Sequence, residues 1–263
     1  MTNQSVWRAL TIISLFSRQK TQIGITEISS ALGVTKGAAH SLVSTLVRGG
    51  FLRQDPETKR YKLGLKIFEI GMLQPQTQQL NQHAIGPTME LSHAYNVVTR
   101  VAIWDGEAVL VTWTNYPAGR PELSNSVGPR LQAHSTGLGK SVLAHLPGTE
   151  LDKFLANNAL TGFTGATITD EAAFRKEIAG IAQRGYAIDR EESLLGMVCM
   201  GAPVFDSSLA VIGAVSLSGP PDFILGHERT EKLAKDLMTT ADRVSRSLGY
   251  PAMFRQICDP GQR

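Results

Sequence analysis

Cysteine is scarce in this chain of 263 residues. The two cysteines, Cys199 and Cys258, lie far apart and form no Cys-x-x-Cys pair, which argues against a disulfide framework and against a thiolate metal site. The six histidines include no pair at the i,i+4 spacing of a helical zinc site. We therefore expect no metal and no other cofactor.

Long apolar stretches are missing as well. The sequence has no run of about 18 apolar residues that could cross a membrane. Its first residues lack the basic and apolar stretches of a secretory signal. With 42% apolar and 19% charged residues, the composition suits a protein with a sizeable packed core. We expect a cytoplasmic protein without membrane contact.

The motifs of common enzyme classes are incomplete. Residues 135–141, Ser-Thr-Gly-Leu-Gly-Lys-Ser, resemble a phosphate-binding loop, but that loop needs glycine at the position of His134. Ser135 and Cys199 could be nucleophiles, yet the chain has no Gly-x-Ser-x-Gly elbow and the sequence places no base beside either one. We therefore expect no enzymatic activity.

Charge is distributed unevenly along the chain. Residues 1–63 contain nine Lys and Arg against three acidic residues, a net charge of +6, so the other 200 residues carry −3. A basic segment joined to a mildly acidic body suggests that the basic part binds a polyanion. Composition alone leaves open that this is only a solvated basic face.

Three helices are predicted in the first 50 residues. Ser5 is the expected cap of the first, and its apolar positions recur at helical spacing: Val6, Leu10, Ile13 and Phe16. Thr26 is expected to cap a second helix that stops at Gly33, and Thr35 a third that ends at a Gly-Gly pair. Two short helices joined by a glycine-containing turn are typical of a helix-turn-helix.

A basic hairpin is predicted directly after these helices. Segments 51–54 and 59–63 are strand-like and flank a turn with an Asp-Pro pair. The residues expected to face the core are Leu52, Tyr61 and Leu63. Those left at or near the tip are Arg53, Lys59, Arg60 and Lys62. Such a hairpin is the wing of a winged helix-turn-helix.

The third helix of a winged helix-turn-helix enters the major groove of DNA, and the wing contacts phosphates or a minor groove. The expected contact residues are Thr35, Lys36, Gly37, Ala38, His40, Ser41, Thr45, Arg53, Lys59 and Arg60. The partner would be double-stranded operator DNA. The alternative is a metabolite-binding interaction protein whose helix-turn-helix serves dimerisation.

A second domain is expected after a linker. Residues 64–80 are predicted to form a partly helical linker with a polar, proline-broken stretch at 74–79, and residues 81–263 to form the second domain. A helix is expected over 84–95, and Glu177 is expected on the exposed face of a helix capped by Asp170. Helices and hairpin-joined strands alternate here, which predicts an α+β fold with a largely antiparallel sheet.

These residues resemble the IclR family of bacterial regulators over nearly the whole chain. The first matching block is ITEISSALGVTKGAAHSLVSTL at 25–46, followed by 50–52 and 61–64. The second is STGLGKSVLA at 135–144. The third comprises 185–192, 196–206 and 214–220.

The resemblance implies an N-terminal winged helix-turn-helix, a linker helix and a C-terminal GAF-like effector-binding domain. It further implies a homodimer or homotetramer that represses or activates operons in response to small carboxylates or aromatic metabolites. The chain departs from the family at Ser41, where members usually carry arginine. This departure implies a different contact, and so a different operator preference, at that position.

The family's effector pocket corresponds to seven positions: Gly137, Leu138, Asp189, Met197, Cys199, Ser216 and Ser218. Strand geometry agrees with this assignment, because Ser216 and Ser218 alternate with Leu217 and so share one face. Free backbone N–H groups at the start of a helix near Leu138 suit a carboxylate. The alternatives are a Cys199 that is only a core residue, serines that satisfy backbone groups, and an Asp189 that acts as a cap or pairs with Arg190 or Arg184.

Overall fold

The computed structural model describes residues 2–17, 20–71, 73, 75–117 and 130–251. Cys258 and, in the predicted linker, Met72 and Gln74 lie outside these ranges. The chain divides into two compact units, Met1–Pro75 and Gln76–Arg263. None of the described helices is long and apolar enough to cross a membrane.

The first unit contains helices, a hairpin and a final short helix. Their bounds are α1 Gln4–Ser14, α2 Ile25–Leu32, α3 Lys36–Arg48, β1 Leu52–Gln54, β2 Tyr61–Leu63 and α4 Lys66–Gly71. The β1 and β2 strands pair antiparallel, with Leu52 opposite Leu63. A backbone bridge between Ile23 and Tyr61 ties the hairpin to the segment before α2. The order confirms the predicted winged helix-turn-helix.

The ends of the helices follow their capping residues. Thr35 Oγ1 accepts the N–H of Ala38 at 3.3 Å and so caps α3, as predicted. Gly33 has φ 62° and ends α2 in the left-handed conformation that glycine adopts without strain. Two predicted caps are wrong. Asn3 rather than Ser5 caps α1, and α2 begins after Gly24, so Thr26 lies inside the helix.

The core of the first unit is apolar and comes from all three helices and the hairpin. Its buried members are Ile12, Ile23, Ile28, Ala39, Val43, Leu46, Leu52 and Tyr61. Val6 and Leu10, two apolar positions of the helical pattern in α1, are more than half exposed, and Leu63, which was expected to face the core, is 40% exposed. Ile13 and Phe16 of the same series pack against this core, so the apolar face is left uncovered within this unit only at Val6 and Leu10.

The second unit is an α+β domain. Its helices are α5 Pro75–Tyr95, α6 Gly137–Leu143, α7 Gly148–Asn157, α8 Glu171–Arg184, α9 Pro221–Ile224 and α10 His227–Ser247. Its strands are β3 Val98–Trp104, β4 Val109–Asn115, β5 Arg130–Leu131, β6 Ala187–Arg190, β7 Val198–Phe205 and β8 Val211–Gly219. The sheet has the order β5-β4-β3-β8-β7-β6. Every pairing is antiparallel, which confirms the predicted sheet type.

Successive residues of each strand face opposite sides of this sheet. Val101, Met200 and Leu217 pack with α5 and α10 in one core. Ala102 and Ala214 pack with α6 on the other face. The α6 face is therefore the face to which Arg100, Ser216, Ser218 and Cys199 belong, since they alternate with residues of the α10 side.

Two expectations for this unit need correction. The stretch 75–79 is not a break, because α5 begins at Pro75 and runs on to Tyr95. Proline is compatible with the first turn of a helix, where its missing N–H would have no helical partner. Glu177 is partly buried, and it pairs with Arg184 at 2.7 Å instead of standing on a free face.

Candidate functional site

The N-terminal part of α3 presents an open polar surface. All seven predicted contact residues of this region are exposed: Thr35, Lys36, Gly37, Ala38, His40, Ser41 and Thr45. The buried side chains of the same helix, Ala39, Val43 and Leu46, pack into the core on the other side. Thr45 Oγ1 donates to the carbonyl of Ser41 at 3.0 Å, and His40 Nδ1 lies 3.4 Å from Ser44 Oγ. The core contacts thus fix which face of α3 is turned outward.

The wing turn is held by Asp55. This carboxylate accepts the N–H groups of Glu57 and Thr58 at 3.1 and 3.0 Å and pairs with Lys62 at 2.7 Å. The hydrogen bond from Lys62 holds the pKa of Asp55 well below its usual range. Lys59 adopts the left-handed φ of 56° at the end of the turn. The turn therefore exposes Lys59 in a defined backbone conformation.

The wing cations differ in what they contact. Arg53 and Lys59 are exposed, whereas Arg60 Nη2 donates to Glu27 at 2.5 Å and to the carbonyl of Gln22 at 3.0 Å. Glu27 also accepts the Gly24 N–H at the start of α2, and this bond lowers its pKa. Arg60 thus fastens the wing to α2 inside the unit, which the sequence pattern did not indicate.

The second unit contains a cavity of about 260 Å³ on the α6 face of the sheet. Six of the seven residues predicted for the effector pocket line it: Gly137, Leu138, Met197, Cys199, Ser216 and Ser218. Leu131, Phe163 and Leu194 complete its apolar wall. The close approach of α6 to β7 depends on glycine, since a Cβ on Gly201 would overlap the carbonyl of Gly137. A few polar groups in an apolar cavity are typical of a small-molecule site.

A row of polar side chains crosses the sheet at the cavity. Asp189, Cys199 and Ser218 lie opposite one another on β6, β7 and β8. Ser218 Oγ lies 3.1 Å from Cys199 Sγ and accepts from Arg100 Nη1 at 2.9 Å. Burial raises the pKa of the Cys199 thiol to about 11, which makes the thiol a neutral part of the cavity wall.

Asp189 is the one predicted pocket residue that does not line the cavity. Its carboxylate is fully buried and accepts the N–H groups of Glu192 and Ser193 at 2.7 and 3.4 Å and the Ser193 hydroxyl at 3.1 Å. Burial raises its pKa to about 6. Since Ser193 and Leu194 line the cavity, Asp189 holds the segment that forms one wall.

A buried ion pair supports the same segment. Lys140 is fully buried, and its Nζ donates to the carbonyl of Ile188 at 2.7 Å and to Glu192 Oε1 at 2.5 Å. Lys140 belongs to the motif that resembled a phosphate-binding loop. In this fold the Lys140 side chain binds the Ile188 carbonyl of β6 and Glu192. It therefore has a structural role, whereas the lysine of a phosphate-binding loop contacts phosphate.

Sequence reasoning missed several groups at the cavity, and Arg100 and Ser135 are the two most deeply buried polar ones. Arg100 lies in the middle of β3, is 5% exposed and lines the cavity, as does the fully buried Ser135. A single arginine inside the apolar strand 98–104 is the signal that could have marked Arg100. Its place beside Ser216 and Ser218 follows only from the pairing of β3 with β8.

Two family models together match most of the chain. The model described as IclR helix-turn-helix domain matches residues 5–56, and the model described as bacterial transcriptional regulator IclR C-terminal matches residues 75–246. The second match alone spans more than half of the sequence. It covers every residue named above for the cavity.

Individual relatives agree with these matches. The chain is 36% identical over 250 residues to the HTH-type transcriptional regulator XynR of Escherichia coli, covering 95% of this chain and 98% of that protein. It is 30% identical to the glycerol operon regulatory protein of Streptomyces griseus, covering 94% and 96%. The fold is shared with an IclR homologue from Microbacterium hydrocarbonoxydans complexed with 4-hydroxybenzoate, at a TM-score of 0.82, 20% identity and coverage of 93% and 98%.

These matches decide between the two functions that the sequence left open. A helix-turn-helix of this family is a DNA-binding element, and the relatives are regulators of transcription. The chain is therefore a regulator and not an enzyme. With its DNA-binding helix-turn-helix followed by an effector-binding domain, this protein belongs to the IclR family of bacterial transcriptional regulators.

Proposed function

We propose that this regulator reads operator DNA with the exposed face of α3 and with its wing. The observation that carries this proposal is the outward, uncovered N-terminal surface of α3, which contains one cation at Lys36 and hydrogen-bonding groups at His40 and Ser41. Backbone N–H groups and the dipole at the start of α3 favour a phosphate near Thr35. The wing adds phosphate contacts from Arg53 and Lys59. Arg60 contributes mainly through its hold on Glu27.

A selection experiment tests this assignment. The full chain would select tight-binding duplexes from a random pool, and the selected sequence would then be used for titrations. We expect Lys36→Ala to weaken binding about tenfold, and His40→Ala to change the preferred bases, because base contacts specify while phosphate contacts position. The matched control is Lys176→Ala, an exposed lysine of the second unit. If that control weakens binding as much as Lys36→Ala, the assignment is wrong.

We propose that the cavity of the second unit is the effector site. Its direct contacts would come from Gly137, Leu138, Met197, Cys199, Ser216 and Ser218, while Asp189 positions the wall at Ser193. A carboxylate or aromatic metabolite suits an apolar cavity with grouped hydroxyls. The relatives named for a glycerol operon and complexed with 4-hydroxybenzoate support a small organic effector.

The size of the cavity limits the effector. Its volume of about 260 Å³ lies near the lower end of the roughly 300–1,000 Å³ that is typical of small-molecule sites. We therefore expect a compact molecule with on the order of ten non-hydrogen atoms. Thermal stabilisation of the full chain by such a molecule, abolished by Ser216→Ala, would support the site. Stabilisation that survives Ser216→Ala and Ser218→Ala together would place the effector elsewhere.

We further propose that the protein is a homodimer or a pair of such dimers, assembled through the first unit. Large apolar side chains are exposed on and near two of its helices: Val6, Trp7 and Leu10 at α1, and Leu65, Phe68, Ile70 and Leu73 at α4. An exposed apolar set of this size is typical of a protein interface. A second copy is the occupant we propose, since a regulator on two half-sites needs two winged domains.

Sedimentation of the full chain measures this assembly. Phe68→Glu should shift the chain toward the monomer. The matched control is Leu195→Glu, because Leu195 is a similarly exposed apolar residue in the second unit.

We also propose that domain boundaries fall at 1–63, 64–80 and 81–263. We propose as well that the protein works in the cytoplasm, where operator DNA is found.

A further inference from the structure

Three segments of the first unit meet at the Glu27 side chain of α2. Its carboxylate accepts the Gly24 N–H at 2.8 Å and the Arg60 guanidinium at 2.5 Å, and Lys20 Nζ lies 3.4 Å away. Gly24 and Lys20 belong to the segment before α2, whereas Arg60 directly precedes β2 of the wing. One carboxylate therefore ties the wing to the start of α2.

This tie lies next to an exposed cation of the wing. Lys59 is exposed and directly precedes Arg60, while Tyr61, on the other side of Arg60, is buried in the core. Tyr61 also exchanges two backbone hydrogen bonds with Ile23, at 2.8 and 2.9 Å. Counted outward from the core, the chain is thus held at Tyr61 and again at Arg60 before it reaches Lys59.

The position of Glu27 in α2 links the wing to the DNA-binding helix. Ile28 follows Glu27 and is fully buried in the core that also contains Ala39 and Val43 of α3. The wing, α2 and α3 therefore belong to one packed framework, in which the contact between Glu27 and Arg60 is a polar link. A shift of the wing relative to α3 would misplace phosphate contacts, which fix the register of a protein on its duplex.

The negative charge of Glu27 makes a positioning role distinguishable from a purely electrostatic one. The Gly24 N–H and the charges of Arg60 and Lys20 lower the pKa of Glu27, so the side chain is a carboxylate at neutral pH. An anion in a DNA-binding unit repels phosphates, so the loss of its charge should by itself strengthen duplex binding. The loss of a residue that positions the wing should weaken it.

We propose that Glu27 is a positioning residue for DNA binding, which holds the wing in place through Arg60 without touching the duplex itself. The held wing presents Arg53 and Lys59 to phosphates. This inference rests on the proposed phosphate contacts of the wing and adds the acidic residue on which those contacts depend.

Duplex affinity of the full chain gives the first test. Glu27→Gln keeps an oxygen that can accept the Gly24 N–H but removes the charge that holds Arg60. We expect it to weaken binding about two- to fivefold, the range for an ion pair that is partly open to solvent. The matched control is Glu57→Gln, an exposed acid of the wing turn, which should leave affinity unchanged or raise it. If Glu27→Gln also raises affinity or leaves it unchanged, the proposal is wrong.

A double-mutant cycle tests whether Glu27 acts through Arg60. Arg60→Gln should weaken duplex binding as well, because it removes the same link from the other side. Combining it with Glu27→Gln should then weaken binding little further, since residues that act as one unit give losses that do not add. Losses that add in full would mean that the two residues act independently, which overturns the proposal.

The individual phosphates that each variant contacts distinguish positioning from a general effect on folding. Ethylation interference on the selected duplex would first identify the wing phosphates, as those where interference is lost in Arg53→Ala and Lys59→Ala. Glu27→Gln should weaken interference at these phosphates and preserve it at the others, which α3 contacts. A uniform loss at all phosphates would mean that Glu27 only supports the folding of the unit, and would contradict the proposal.

The same experiment separates a failure of this inference from a failure of the proposed function. If Arg53→Ala and Lys59→Ala lose interference at no phosphate, the wing does not contact the duplex, and its proposed role fails together with this inference. If they lose interference and Glu27→Gln does not, the wing contacts stand and only the positioning role of Glu27 is wrong.

Discussion

The two units place their candidate functional side chains in opposite environments. The contact residues at α3 are exposed to solvent, whereas four polar residues that line the cavity, Arg100, Ser135, Ser216 and Ser218, are at most 5% exposed. Duplex DNA is too large to enclose, so an open cationic surface gains affinity from phosphate contacts and released counterions. A small molecule can be enclosed, so each buried polar group that it satisfies contributes specificity.

This contrast predicts different costs for removing charge in the second unit. Lys140→Met would leave Glu192 buried without its cation, and should destabilise the protein by about 3–5 kcal/mol. Lys153→Met removes the exposed pair with Glu150, and should cost no more than about 1 kcal/mol. Urea unfolding followed by circular dichroism measures both. Equal losses of stability for the two substitutions would show that burial does not determine how much each ion pair contributes to stability.

The buried Asp189 predicts a pH dependence that no exposed group of the wing should share. Burial raises its pKa to about 6 from 3.8, so the folded chain binds this proton more tightly than the unfolded chain does. Relative to Asp189→Asn, the parent chain is therefore most stable below about pH 4 and loses about 3 kcal/mol as pH rises through 6. Denaturation from pH 4 to 8 measures the difference. A difference that stays constant, or that grows with pH, would contradict the assignment.

The wing allows a comparison between two arginines of the first unit. Arg53→Ala should reduce the salt dependence of duplex binding by about one unit of slope, as expected for one lost phosphate contact. Arg60→Ala should change that slope less and should lower stability by up to about 1 kcal/mol, because its partners are Glu27 and Gln22. Titrations at several salt concentrations separate them. Equal slopes for both variants would mean that Arg60 also binds DNA.

The smallest effect distinguishes two candidate caps of α1. Asn3→Ala should cost about 1 kcal/mol, because the Asn3 side chain accepts the N–H groups of Ser5 and Val6. Ser5 lies inside the helix, so Ser5→Ala should change the free energy of unfolding by less than about 0.5 kcal/mol. Thermal unfolding measures both. A larger loss of stability for Ser5→Ala than for Asn3→Ala would mean that Ser5 is the cap of α1, as predicted from the sequence.

Local patterns were sufficient for much of the fold. The Gly33 turn, the Thr35 cap and the spacing of Ala39, Val43 and Leu46 act within a few residues, so the sequence predicted the helix-turn-helix. Alternation likewise put Ser216 and Ser218 on one face. The position of Val6 and Leu10 could not be predicted in the same way, because helical spacing identifies an apolar face but not the partner that covers it.

The cavity was harder to predict because its residues come from distant parts of the sequence. Arg100, Ser135, Cys199 and Ser218 come together only through the register of β3, β7 and β8 and the packing of α6. The turn at 191–197 brings the N–H groups of Glu192 and Ser193 to the Asp189 carboxylate, which is not part of the cavity lining, and no short-range pattern specifies that. Because β3 and β8 are more than 100 residues apart in sequence, their register is set only when the whole domain folds.

The central claim is that the first unit contacts DNA and the cavity of the second unit does not. Measuring duplex affinity as a function of salt in three forms of the full chain tests this claim. The forms are the parent, Lys36→Ala on the exposed surface and Ser218→Ala in the cavity, all titrated with one duplex selected by the parent. We expect the slope of log affinity against log salt to fall by about one for Lys36→Ala and to stay unchanged for Ser218→Ala. An unchanged slope for Lys36→Ala, or an equal fall for Ser218→Ala, would contradict it.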